Sequence, residues 1–151
     1  MSRSEDNFCR INDPESSAMD KEINWIVENA ETIAVVGLSP KPQRPSNQVA
    51  KYLKEAGYTI IPVRPGTDEI LGEKAYPDLE SVEGGIDLVL IFRRSELVAP
   101  IVAQAIKLNA KAVWMQEGIV NQEAAEKAKK MGLKVVMDRC MSKEVYRRRL
   151  K

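Results

Sequence analysis

The sequence predicts an α/β protein: a three-layer sandwich with a parallel sheet of about five strands and helices on both faces. Three observations lead there. Short, continuously apolar and partly β-branched runs recur along the chain, as strands buried on both faces require. Between them lie stretches whose apolar residues fall at helical spacing. The two patterns alternate from end to end, which calls for crossover connections and hence a parallel sheet.

Residues 1–16 mix Ser, Asp, Glu, Arg and Asn around an isolated Phe8. They read as a flexible N-terminal tail, leaving 17–151 as the domain. From Ser17 to about Ala30, Ile23, Ile26, Val27 and Ala30 mark a leading helix, with Ser17 and Asp20 resembling a capping pair. Thr32–Val36 is the first strand, ended by Gly37. Tyr58–Val63, Ile86–Phe92, Ala112–Met115 and Lys134–Met137 are the others. Ser46 is expected to cap a helix over Val49, Ala50, Leu53 and Ala56, closed by Gly57. Pro77–Val82 reads as a short helical turn after an edge segment near Ala75. Pro100 suits the first turn of a helix through Ile101, Ala105, Ile106 and Leu108, with Ser95–Val98 a separate turn before it. Asn121 opens a helix through Ala124, Ala125 and Ala128 to Gly132. Ser142 opens a last one over Val145, Tyr146 and Leu150.

Composition narrows the function. The 151 residues, 44% hydrophobic and 30% charged, suit one globular domain. Lys and Arg total 23 against 22 Asp and Glu, so a net charge of +1 offers no overall field for nucleic acid or an anionic membrane. Any anion site must be local. No apolar run approaches a bilayer span and residues 1–19 hold no signal-peptide core, so a cytoplasmic location is expected. Cys9 and Cys140 have no metal-ligand spacing and read as free, reduced thiols. The absence of histidine removes Ser-His and Cys-His nucleophile pairs, His-ligated zinc and the commonest general base.

In an open parallel sheet, ligands sit beyond the carboxyl ends of the strands, near the reversal of strand order. The first exit runs Gly37-Leu38-Ser39-Pro40-Lys41-Pro42-Gln43-Arg44-Pro45-Ser46 into a helix. A helix start suits a phosphate, and Lys41 and Arg44 add cations beside it. The loop lacks Gly-x-Gly-x-x-Gly, which disfavours a dinucleotide pyrophosphate; the bland alternative is a rigid polar connection. The second exit, Pro62-Val63-Arg64-Pro65-Gly66, places Arg64 where NAD-binding domains use an acid. An arginine there suits a phosphorylated ribose, as NADP and coenzyme A carry, or is simply a solvated residue. The third, Ile91-Phe92-Arg93-Arg94-Ser95, leaves the core on two arginines, which could instead pair with Asp87 or Glu96. The fourth, Trp114-Met115-Gln116-Glu117-Gly118, ends on polar side chains able to meet hydroxyl or amide groups, while Trp114 and Met115 fit a core.

These four exits, with Val35-Val36 before the first and Met137-Asp138-Arg139-Cys140 near the end, resemble the small stand-alone CoA-binding domain proteins over about residues 20–146. Those proteins are similar to the N-terminal domain of the succinyl-CoA synthetase alpha subunit, a Rossmann-like fold in which CoA lies across the carboxyl ends of the strands. The resemblance implies CoA contacts from Gly37, Leu38, Ser39, Pro40, Lys41, Arg44, Pro45, Ser46, Arg64, Phe92, Arg93, Arg94, Met115, Gln116 and Glu117. No metal site is expected from the cysteine spacing and the absent histidine. The synthetase's phosphorylated histidine has no counterpart here, so no catalytic residue is expected. The expected function is a non-catalytic module for CoA or an acyl-CoA, with an unidentified protein partner as an option and no nucleic acid or membrane. An NADP-dependent oxidoreductase and a nucleotide-responsive regulatory subunit are the alternatives. Cys140 reads as inert, with mixed-disulfide formation between CoA and either cysteine left open. Arg147-Arg148-Arg149 reads as a solvated helix end whose cations suit the dipole.

Overall fold

The computed structural model describes residues 14–149. In chain order it contains α1 (Pro14–Asn29), β1 (Thr32–Val36), α2 (Pro45–Glu55), β2 (Thr59–Val63), β3 (Glu69–Ile70), β4 (Glu73–Lys74), β5 (Leu88–Ile91), α3 (Val98–Lys107), β6 (Ala112–Met115), α4 (Gln122–Lys130), β7 (Lys134–Val136) and α5 (Met141–Arg149). Two 3-10 turns, Leu79–Ser81 and Ser95–Leu97, complete it. Five strands form one parallel sheet in the order β2-β1-β5-β6-β7, while β3 and β4 pair as a small antiparallel hairpin. The expected sandwich is the one observed.

Alternation along each strand divides the core in two. Ile33, Val35, Leu88, Leu90 and Trp114 point to one face, where Ile23 and Ile26 of α1, Leu53 of α2 and Val145 of α5 cover them. Ala34, Val36, Val89, Ile91, Val113 and Met115 point to the other, under Val102 and Ala105 of α3 and Ala125 and Ala128 of α4. Each large side chain removed from water in this way contributes about 1.5–3 kcal/mol before conformational entropy is set against it.

Several boundaries differ from the sequence expectation. Helix α1 begins at Pro14, so Ser17 lies within it rather than capping it. Residues 1–13, with Cys9, and Leu150 lie outside the described residues. Ser46 does not cap α2: Pro45 takes the first helical position, and Arg44 stands at the cap without a side-chain hydrogen bond. Helix α5 starts one residue before Ser142. The turn expected over Pro77–Val82 narrows to Leu79–Ser81, capped by Asp78. The edge segment near Ala75 is a single parallel bridge between Tyr76 and Val63. The Ile86–Phe92 strand shortens to Leu88–Ile91, and just before it the Asp87 carboxylate accepts the N–H groups of Glu31 and Thr32.

Candidate functional site

The chain passes from β1 to β2 on one side and returns to β5 on the other, so strand order reverses beside β1. Both exits leave the sheet there, and Gly37 is what lets them pass. Its φ is +89°, and a Cβ on it would stand 2.5 Å from the Phe92 carbonyl oxygen and 3.0 Å from Arg93 Cδ. Beyond it the loop braces itself. The Ser39 N–H donates to Ser46 Oγ (3.0 Å), Ser39 Oγ accepts from the Lys41 N–H (3.1 Å), and Asn47 Nδ2 donates to the Ser39 carbonyl (2.8 Å). Ser39, Ser46 and Asn47 are buried beneath this arch, while Pro40, Lys41, Arg44 and Pro45 face outward. Ser46 therefore shapes the loop rather than the helix cap, and the uncapped start of α2 keeps its positive dipole end at the rim.

Next to the arch lies a crevice of about 660 Å³ lined by Pro45, Phe92, Arg93, Arg94, Ser95, Gln116, Glu117, Gly118 and Ile119. Six of the residues implied by the resemblance meet there: Pro45, Phe92, Arg93, Arg94, Gln116 and Glu117. Arg64 is half-buried on the other side of the arch, its Nη1 3.5 Å from the Leu38 carbonyl. Leu38 and Met115 are fully buried in opposite cores, which leaves only their backbone able to reach a ligand. Trp114 is likewise a core residue, its Nε1 donating to the Arg139 carbonyl at 2.8 Å.

The arginines at the third exit are only loosely held. Arg94 Nε lies 3.8 Å from Glu96, with the two side chains 76% and 68% exposed, a pair of little strength in water. Arg93 has no ion pair among the described residues. Asp87 is no partner for either, since it sits at the amino edge of the sheet, 3.4 Å from Lys111 Nζ. Burial alone would raise its carboxyl pKa, but the Glu31 and Thr32 N–H groups and Lys111 outweigh that and hold it below the usual range.

Sequence reasoning missed Ser95, Gly118, Ile119, Asn47 and Asp138. Ser95 accepts the Val120 N–H on Oγ (3.1 Å) and the Asn121 amide on its carbonyl (3.0 Å). Asp138 Oδ1 accepts the Gly118 N–H at 2.7 Å. Asn47 carried a readable signal, a polar residue among the apolar positions of α2. Cys140 is a free, buried thiol 3.3 Å from Ser142 Oγ. Among the described residues no group of three or more His, Cys, Asp or Glu could hold a metal ion, and no helix is long and apolar enough to cross a membrane.

Residues 31–146 match the family described as a CoA binding domain. The chain belongs to this family. An uncharacterized protein of Bacillus subtilis, YneT, is 44% identical to this chain over 120 residues, covering 80% of this chain and 89% of its own. The ADP-forming acetate–CoA ligase I of Archaeoglobus fulgidus is 28% identical over 119 residues, of which this chain spans 17% of the ligase's length. A hypothetical protein from Pyrococcus horikoshii superposes with a TM-score of 0.81 at 44% identity, covering 85% of this chain and 90% of that one. The resemblance seen at the strand exits thus holds at the level of family and fold.

Proposed function

We propose that this domain binds coenzyme A, free or acylated, as a stand-alone cytoplasmic module and catalyses nothing on its own. The observation that carries the reading is the crevice beside the strand-order reversal, lined by Arg93, with Lys41 and Arg44 on the adjoining loop that ends at Pro45. None of these three cations has a carboxylate partner among the described residues. The α2 start and these cations suit a pyrophosphate, and Arg64 suits a phosphate on the adenosine ribose. The volume lies within the range of sites for small organic ligands, and Gln116 and Glu117 supply polar groups for the amide-bearing arm. The family description and the name of the ligase relative support the same ligand. With no histidine in the chain, the phosphohistidine chemistry of the synthetase has no residue here to use.

Titration calorimetry with CoA, dephospho-CoA and NAD tests this. CoA should bind and NAD should not. Dephospho-CoA should bind about 1.5–3 kcal/mol more weakly, roughly tenfold or more, because the basic side chain loses its charge-assisted partner. NAD binding as tightly as CoA would overturn the reading.

A further inference from the structure

Gln116 stands where the crevice meets the last helix. It is only 6% exposed, yet its amide is divided between two surroundings. Oε1 accepts the N–H of Met141, the first residue of α5, at 3.2 Å. Nε2 makes no hydrogen bond among the described residues. Since among the described residues no buried side-chain nitrogen or oxygen lacks a partner, that donor is not sealed in the core, and Gln116 lines the crevice.

The rest of the wall is fastened to the same segment. The Gly118 N–H donates to Asp138 Oδ1 at 2.7 Å, and Lys143 Nζ lies 3.4 Å from Glu117. From there α5 grips α1. Glu144, 4% exposed, is held by Arg139, Arg147 and Arg148. Arg148 Nε donates to Asn24 Oδ1 at 2.6 Å, and Arg139 lies 3.6 Å from Asp20. On its other flank the wall is fastened to Ser95 and the start of α4.

We propose that Gln116 is a positioning residue that relays occupancy of the crevice to α5: Nε2 donates to a carbonyl oxygen of the bound ligand while Oε1 holds the Met141 N–H. A ligand carrying amide carbonyls, as CoA does, then tightens α5 and the α1 surface clasped to it. The relay rests on CoA occupying the crevice. It makes the α1–α5 face the place where a partner would sense the ligand, because coupling between sites requires an element whose state both sites bias.

Amide hydrogen exchange with and without saturating CoA, on the intact chain, tests it. In the wild type CoA should slow exchange across 141–149 by about fivefold or more, the lower end of typical coupling between sites. Residues 126–130, in the half of α4 away from its Ser95 anchor, serve as the internal reference for any global stabilisation. Gln116→Met keeps length and burial but removes both amide ends, so slowing at 141–149 should be lost while that at 126–130 stays. Gln116→Glu keeps an acceptor for Met141 but loses the donor. It should retain the ligand-free protection of α5 and lose the response to CoA, so the test survives if the Met variant does not fold. Equal CoA-induced slowing of α5 in the wild type and both variants would overturn the relay. Parallel calorimetry separates the two ideas: no CoA binding by the wild type defeats the functional reading, whereas binding without a response at 141–149 defeats the relay alone.

Discussion

Gly37 answers to two constraints: a positive φ, which strains any other residue, and the carbonyl of Phe92, which leaves no room for a Cβ. Gly37→Ala must strain the backbone and also push the β1 and β5 exits apart. A loss of about 2–3 kcal/mol in urea unfolding is expected; a loss under about 0.5 kcal/mol would mean the exits part freely. Arg93 and Arg94 present the opposite case, since nothing strong holds them. Replacing both with Ala should leave stability within about 0.5 kcal/mol while CoA affinity falls by several times that energy. Calorimetry and a melting curve on the same sample check whether the two quantities separate. The charges at the strand ends were legible because a buried apolar run that stops at an arginine marks an exit. The division of labour at Gln116 was not, because residue type cannot say which end of an amide a distant helix occupies.

Helix starts show where local signals suffice and where they fail. Asn121 was read as the opening of α4, and its Oδ1 accepts the Ala124 N–H while its Nδ2 donates to Ser95. Asn121→Ala removes both bonds and should cost about 1–2 kcal/mol. Asn121→Asp, which keeps the cap and loses the donor, should recover about half in thermal unfolding. Ser46 looked just as suitable, but Pro45 already fits the first helical position and turns the Ser46 hydroxyl back onto Ser39. A capping residue type is only a candidate until the preceding turn decides its dihedrals. Strand β6 was read to the residue because apolar burial starts and stops with it. The β3–β4 hairpin was not, since two-residue strands carry no periodicity.

Across the whole molecule, Asp87 fastens the amino edge of the sheet by joining the start of β1 to Lys111 ahead of β6. Its folded-state pKa is depressed, so its contribution is fully present above the ordinary carboxylate value and disappears as pH falls through the folded value. Wild type and Asp87→Asn should therefore differ in urea midpoint at neutral pH and converge on acidification below the usual carboxylate range. A gap that widens in acid would refute the assignment. Alternation of strand and helix told of a parallel sheet but not of strand order, which periodicity does not encode. That order has a consequence for how the protein comes apart. Thr32 pairs with Thr59, Leu88 with Ala112 and Ala112 with Lys134, but Ile33 pairs with Leu88. The β1–β5 seam therefore closes a loop about twice as long as any other junction of the sheet, at roughly 0.6 kcal/mol more in chain entropy. At the carboxyl end of that seam Gly37 stands against Phe92 and Arg93, which also line the crevice. A ligand bridging the two exits is then a clasp across the junction that chain entropy most favours opening.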